Sequence, residues 1–210
     1  NGPVYTSNQN GIYGKALDFD GSDYITTNIP TSIFMGTNSF TISVWINITT
    51  LTNTEDTHGI VTLFSTRVNQ SSASGFTLWA NNRSSGNLMS IGIYNRQSGS
   101  YQIQTPTNSI TLNKWYHVVY VHQSTEQKIY LNGVLSASET SSAINFTTTM
   151  ITNPYIGVEG GTTYYFKGRI SDVRIYDQAL TATQVKQIYN NTLLSTNVTL
   201  NKDQLIYISD

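Results

Sequence analysis

The chain has 210 residues; Thr, Ser and Asn supply 74 of them, and only 11% are charged, against about 25% in an average soluble domain. A formal net charge of −1 excludes the basic footprint of a nucleic-acid binder and a polybasic membrane contact, and no apolar run approaches the roughly 20 residues of a membrane helix. Zero Cys excludes disulfides, thiolate metal sites and thiol catalysis.

The 38% hydrophobic residues fall in short, alternating, β-branched and aromatic runs, a pattern that builds a β core rather than a disordered chain. A start at Asn1 without Met reads as a mature or excised fragment. The Thr/Asn/Ser/Tyr-rich surface without Cys points to an extracellular, cell-surface or virion protein. Six Asn-x-Ser/Thr sequons occur, about the number that chance gives at this composition, so they carry no evidence of glycosylation.

In chain order, Lys15–Asp20 reads as a strand ending in the turn Asp20-Gly21-Ser22, and Tyr24–Thr27 resumes it. Ser39–Thr49 alternates cleanly, with Phe40, Ile42, Val44 and Ile46 on one face and Thr41, Ser43, Trp45 and Asn47 on the other. A period of two marks a strand between two environments. Ile60–Thr66, Gly75–Asn81 and Leu88–Asn95 follow as strands, separated by polar loops that include Asn82–Gly86. Trp115–His122 and Lys128–Leu131 come next, and Asn132-Gly133 predicts a tight hairpin into Val134-Leu135. Tyr155–Val158 and Tyr164–Tyr176 complete the set. One helix is expected over Ala182–Tyr189, opened by a Thr181-x-x-Gln184 capping box and stopped by Asn190-Asn191. The tail from 193 to 210 holds one strand-like segment, Leu205–Ile208. Many short strands and one short helix define an all-β, jelly-roll sandwich of two antiparallel sheets over residues 1–192, followed by a linker or assembly tail.

Five motifs carry a resemblance. Ala16-Leu17-Asp18-Phe19-Asp20-Gly21, Phe40 to Trp45, Trp115 to Val119, Tyr130-Leu131-Asn132-Gly133 and Gly168 to Tyr176 are similar, in order, to the motifs of LamG-like jelly-roll domains. These belong to the concanavalin A-like lectin/glucanase superfamily. The resemblance spans about residues 14–190 and implies the fold. It says less about function, because one fold hosts lectins, enzymes and structural domains. It also implies a structural calcium ion, held near Asp20, Gly21 and Asp23 and by Asp172 late in the chain. Ser171, however, stands where the family has an Asp. Calcium needs six to eight oxygen ligands, some of them charged.

Related glucanases place catalytic acids on one face of a strand whose counterpart is Gly75–Asn81. That strand carries Thr77, Trp79 and Asn81 on one face and no acid on either. Sugar hydrolysis needs two facing carboxylates, so the expected function is a non-catalytic extracellular recognition or adhesion module that binds carbohydrate. Trp79 is the leading ring for sugar stacking, or else a ring that covers the sandwich. Asn81, Asn82, Arg83, Tyr94, Asn95, Arg96 and Tyr101 complete the expected ligand site. Trp45 and Trp115 read as structural, and His117, in the family's Trp-x-His motif, as a hydrogen-bonded structural group. The runner-up is a structural subunit that self-associates through the tail, since an added strand can pair with a sheet edge. A polysaccharide-active enzyme is the third reading. The expected partners are a glycan or a glycosylated surface, with no nucleic acid and no membrane insertion.

Overall fold

The computed structural model describes residues 2–6, 15–51, 59–68, 75–84, 88–95, 100–140, 146 and 153–194. Thirteen strands are found among them. In chain order these are β1 Val4–Thr6, β2 Ala16–Asp20, β3 Ile25–Thr26, β4 Phe40–Ile48, β5 Val61–Ser65, β6 Thr77–Ser84, β7 Leu88–Asn95, β8 Ser100–Gln104, β9 Trp115–His122, β10 Glu126–Leu131, β11 Val134–Thr140, β12 Tyr155–Ile156 and β13 Lys167–Tyr176. A helix, α1, spans Ala182–Leu194. The strands form a seven-stranded sheet, β1-β2-β13-β4-β9-β10-β11, and a six-stranded sheet, β3-β12-β5-β6-β7-β8. Each pairing described is antiparallel. The architecture is the expected jelly-roll sandwich. The expected tail strand Leu205–Ile208 lies outside the described residues.

The core lies between the sheets. Phe40, Ile42, Val44 and Ile46 of β4 meet Leu78 and Ala80 of β6 and Ile91 and Ile93 of β7. Phenylalanines tie the layers together: Phe40 stacks on Phe76 at 5.4 Å, and Phe34 meets Phe40 edge-on at 5.0 Å. Ring pairs in these geometries add about 0.5–1.5 kcal/mol beyond their buried area.

The second face of β4 is buried too, because α1 covers it. Val185 and Ile188 join Val119, Val121, Tyr130, Tyr176 and Leu180 in a separate apolar cluster. Tyr189 stacks on Trp45 at 5.7 Å, and Trp45 stacks on His117 at 5.1 Å. Trp45 and His117 are therefore structural. Thr41 anchors the approach to the helix: its hydroxyl donates to the Gln178 carbonyl at 2.8 Å and accepts from the Leu180 N–H at 3.0 Å. The capping box forms as expected, with Thr181 N–H donating to Gln184 Oε1 at 2.8 Å and Gln184 N–H donating to Thr181 Oγ1 at 3.3 Å. The hairpin also forms, with Asn132 and Gly133 at φ of 51° and 74°. A Cβ on Gly133 would lie 3.1 Å from Tyr189 and Lys186, so glycine lets this turn rest against α1.

Four expectations need correction. The helix passes through Asn190-Asn191 to Leu194. Asn costs a helix interior only about 0.7 kcal/mol, less than the packing of Val185 and Ile188 supplies. β6 runs to Ser84, through the first part of the loop expected at Asn82–Gly86. Strands β1 and β8 pair without a strong alternating pattern of their own, so periodicity did not mark them. Residues 164–166 are not strand: β13 begins at Lys167, and Tyr164 is left-handed, with φ of 54°.

Two histidines sit in the packed interior. His117 Nε2 is 2.8 Å from Ser43 Oγ, and His122 Nδ1 is 3.3 Å from the Tyr120 hydroxyl. Burial lowers the His117 imidazole from 6.5 to about 3 and the His122 imidazole to about 4. The unfolded chain takes these protons near pH 6.5, well before the folded protein does. Unfolded protein therefore binds more protons across that window, and stability falls as pH drops from about 7 towards 4. The melting temperature should decline over this range, and His122→Phe should flatten the decline. A pH-independent melting curve would show that these rings do not set the acid limit.

Candidate functional site

The side chains of interest lie on the outer face of the six-stranded sheet. Leu78, Ala80, Ile91 and Ile93 point into the core, so the alternate positions Thr77, Trp79, Asn81, Ser90, Gly92 and Tyr94 point away from it. The strand phase expected for Thr77, Trp79 and Asn81 therefore holds. What periodicity could not show is that this face is itself covered.

Trp79 pairs across with Thr62 and Gly92. Its indole lies over Gly92, where a Cβ would come 2.9 Å from Cζ2, and the residue is only 2% exposed. It belongs to neither apolar cluster of the core. Beside it, Ser90 Oγ donates to Asn81 Oδ1 at 3.2 Å, and the Gln104 amide donates to Ser90 Oγ. Asn81 and Asn95 are buried, Asn82 and Tyr94 are half-buried, and Gln104 is exposed. Arg83 is the last residue but one of β6, and β8 places Tyr101 opposite Tyr94 in backbone register. Arg96 lies outside the described residues.

The next cross-strand row runs Thr26, Tyr155, Ser65, Thr77, Tyr94 over β3, β12, β5, β6 and β7. A buried ion pair crosses it. Arg67 Nη1 donates to Glu159 Oε1 at 2.6 Å, with the two side chains 1% and 4% exposed. Burial pushes the Glu159 carboxyl above the ordinary range, while the Arg67 charge and the Thr77 hydroxyl pull it back. Thr77 Oγ1 is 3.1 Å from Ser65 Oγ, which accepts from the Arg67 N–H at 3.2 Å, closing a ring of hydrogen bonds. The Arg67 guanidinium also sits 4.8 Å from the centroid of Tyr94. One face of Tyr94 is thus occupied from within the protein.

The ion pair pins a turn. Glu159 N–H donates to the Thr163 carbonyl at 2.8 Å, and Thr162 and Thr163 N–H return to the Glu159 carbonyl at 3.2 and 3.1 Å. The segment is tied to the sheet where Thr62 N–H donates to the Tyr164 carbonyl at 2.9 Å and Phe166 N–H to the Gly157 carbonyl at 2.8 Å. Phe166 enters the core, while its neighbour Tyr165 stays half-buried at the sheet edge. There it meets Tyr24, at 6.5 Å between centroids, and Tyr24 meets Tyr155 edge-on at 5.6 Å. Tyr24 is 40% exposed, while Tyr155 and Tyr165 are half-buried. The sequence reading missed both the ion pair and this tyrosine group. Partners 92 residues apart leave no local trace. Gly160-Gly161 before Tyr164-Tyr165 was the available signal, a turn delivering aromatic residues.

Of the four residues expected to hold calcium, Asp20, Gly21 and Asp23 share one turn and Asp172 stands apart from it. Asp20 Oδ1 accepts from the Ser22 N–H and hydroxyl, each at 2.8 Å, and Asp23 Oδ2 accepts from the Asp20 N–H at 3.1 Å. The Ser22 hydrogen bonds hold the Asp20 carboxyl below its usual value. On β13 the residue opposite Asp20 is Lys167. Asp172 stands five residues further on, in the β-bulge between Ser171 and Arg174, and is paired with Arg174 at 2.7 Å. Ser171, at the family's Asp position, donates to the Lys15 carbonyl at 2.7 Å. Among the described residues no cluster of three or more His, Asp or Glu side chains suits a metal ion.

The laminin G type 3 family profile, described as the concanavalin A-like lectin/glucanases superfamily, matches residues 19–186, and the chain belongs to that family. No curated protein sequence matches it. Among solved structures, domain 4 of AbnA, a GH43 extracellular arabinanase from Geobacillus stearothermophilus, was determined in complex with arabinotriose. It is 22% identical with a TM-score of 0.60, over 90% of this chain and 82% of that one. The CBM40 of the Ruminococcus gnavus IT-sialidase, bound to α2,3-sialyllactose, is 16% identical with a TM-score of 0.64, over 83% and 96%. A heptameric SAP-like pentraxin from Limulus polyphemus is 19% identical with a TM-score of 0.57, over 82% and 80%. These similarities establish the shared fold. No helix among the described residues is long and apolar enough to cross a membrane.

Removing one partner of a buried ion pair leaves an uncompensated charge, at a cost of about 3–5 kcal/mol. Arg67→Ala should lose stability on that scale in urea titrations. The double replacement Arg67→Met with Glu159→Leu should lose much less. Equal losses would mean that the pair does not act as a unit.

Proposed function

We propose that this chain is a non-catalytic carbohydrate-recognition module of an extracellular or surface protein, with its ligand at the exposed part of the outer face of the six-stranded sheet. One observation carries the reading. That face is built from rings, hydroxyls and amides, and none of the six strands of its sheet contains Asp or Glu. Glycoside hydrolysis needs two carboxylates across the scissile bond, and among the described residues the acid placed at this face, Glu159, is bound to Arg67. Rings and neutral hydrogen-bonding groups suit a sugar, whose C–H faces pack on aromatic surfaces and whose hydroxyls pair with amides. Superfamily membership and neighbours solved with arabinotriose and sialyllactose support the same reading.

The test is a panel of neutral plant and microbial polysaccharides together with sialylated oligosaccharides. Binding is followed by array and calorimetry, and each sugar is assayed for new reducing ends. Selective binding without product is expected. Product formation would replace the module with an enzyme, and silence across the panel would remove the reading.

A second reading, self-association, has one observation in its favour. Strand β11 is an edge of the seven-stranded sheet, and Val134 and Leu135 on it are 61% and 48% exposed. Unprotected edges pair with other chains. If assembly uses this edge, light scattering should show oligomers that Leu135→Lys converts to monomers. A monomeric native chain would end that reading.

A further inference from the structure

Resting on the carbohydrate reading above, we infer that the Tyr24, Tyr155 and Tyr165 cluster at the β3 edge of the six-stranded sheet is the ring surface that contacts the sugar, and that this sugar is uncharged. The expected rings do not offer that surface in this conformation. Trp79 is 2% exposed and packed on Gly92, and Tyr94 has the Arg67 guanidinium over one face. A ring stacks on a sugar only through a face that solvent can reach.

The three tyrosines lie on the same outer face as Trp79 and Tyr94, displaced to its edge. Ile156 lies within the core, so its strand neighbour Tyr155 points outwards, and Tyr24, just before β3, meets Tyr155 edge-on and is 40% exposed. Neither ring pair is stacked in parallel: Tyr24 is at 88° to Tyr155 and at 53° to Tyr165. Neither neighbour therefore seals a face of Tyr24 by parallel stacking.

The cluster is also held in place. Tyr155 leans on Gly161, where a Cβ would come 3.2 Å from its hydroxyl, and the Tyr165 hydroxyl donates to the Gly161 carbonyl at 3.3 Å. Gly161 belongs to the turn closed by Glu159 and Thr163, and Glu159 is fixed to Arg67. The buried ion pair thus positions the turn against which two of the three rings rest. A binding surface organised before the ligand arrives loses less entropy on binding.

The chemistry around the rings sets the ligand class. The turn presents the exposed Thr162 and the half-buried Thr163. Its acid, Glu159, is internal and neutralised by Arg67. Phenol rings, hydroxyls and backbone carbonyls match a neutral polyol, and no cation in the turn is placed to select a sialic or uronic acid. The row from Tyr155 to Tyr94 crosses three strand spacings, roughly 14 Å. Contact begins at its open end.

The test compares wild type with Tyr24→Ala, Tyr24→Phe and Tyr165→Ala on the neutral and the sialylated members of the panel. Melting temperature serves as the control for folding. Tyr24→Ala and Tyr165→Ala should weaken binding of a neutral glycan by about tenfold or more, as loss of a central aromatic contact does. Tyr24→Phe should keep most of the affinity, because the ring face remains. Nitration of the wild-type protein, mapped by peptide mass spectrometry, gives a readout free of folding effects: a bound neutral glycan should protect Tyr24. Wild-type binding that survives both alanine variants, with Tyr24 nitrated at an unchanged rate, overturns the inference and leaves the module reading standing. Binding restricted to sialylated sugars overturns the ligand class. Wild-type silence across the panel removes both the inference and the reading beneath it.

Discussion

The middle strands β4 and β5, one in each sheet, are buried on both faces, and most of the unusual features follow from that constraint. An antiparallel sheet commonly keeps one face on the core and one in water. Here β4 is buried along its whole length, Thr41, Ser43 and Asn47 included. Those polar side chains need partners, because an unsatisfied buried group costs about 1–3 kcal/mol. Thr41 bridges to the entry of α1, and Ser43 pairs with His117. Both sites of pairing lie beneath or beside α1, so the helix is required for the polar half of β4 to be stable, as well as for its own apolar stripe.

In the six-stranded sheet no helix among the described residues plays this part. The row through Ser65 and Thr77 is closed by side chains and a turn, and the closure is polar: Ser65, Thr77, Arg67 and Glu159 form a ring of hydrogen bonds. Charge is scarce in this chain, which makes a buried ion pair more notable. Such pairs rarely add net stability, since desolvation offsets attraction. Their value lies in geometry. A salt bridge that is costly to break fixes the register of Glu159 on the sheet, and with it the glycine turn and Tyr164, held left-handed in a conformation a bulky residue seldom adopts. Backbone strain of this kind persists only where the surroundings over-determine it.

The fold was legible in the sequence because its determinants are local. Alternation in Phe40–Ile48, Asn132-Gly133 and the Thr181/Gln184 box each act within a few residues, and each appears where its chemistry placed it. β1 and β8 were not legible, since short strands at sheet edges take their conformation from the neighbour they pair with. The site was legible only in part. Strand phase put Trp79 and Asn81 on the outer face correctly, but phase reports direction and not cover. Whether a side chain that leaves the core reaches water depends on what folds over it. Arg67 and Glu159 join over that face from positions 92 residues apart.

The same distinction separates two kinds of aromatic residue on one surface. In the middle of the sheet a ring can be enclosed, and Trp79 is, packed over Gly92 and 2% exposed. Among the described residues no strand follows β3, and a ring at this edge keeps one side open: Tyr24 is 40% exposed although it contacts two other rings. Edge strands are ordinarily a hazard, since their free backbone groups invite pairing. A two-residue strand such as β3 offers little backbone to pair with, which suppresses that hazard. It leaves the edge free to present side chains instead. The shortness of β3 and the openness of its tyrosines are two consequences of one choice of sheet boundary.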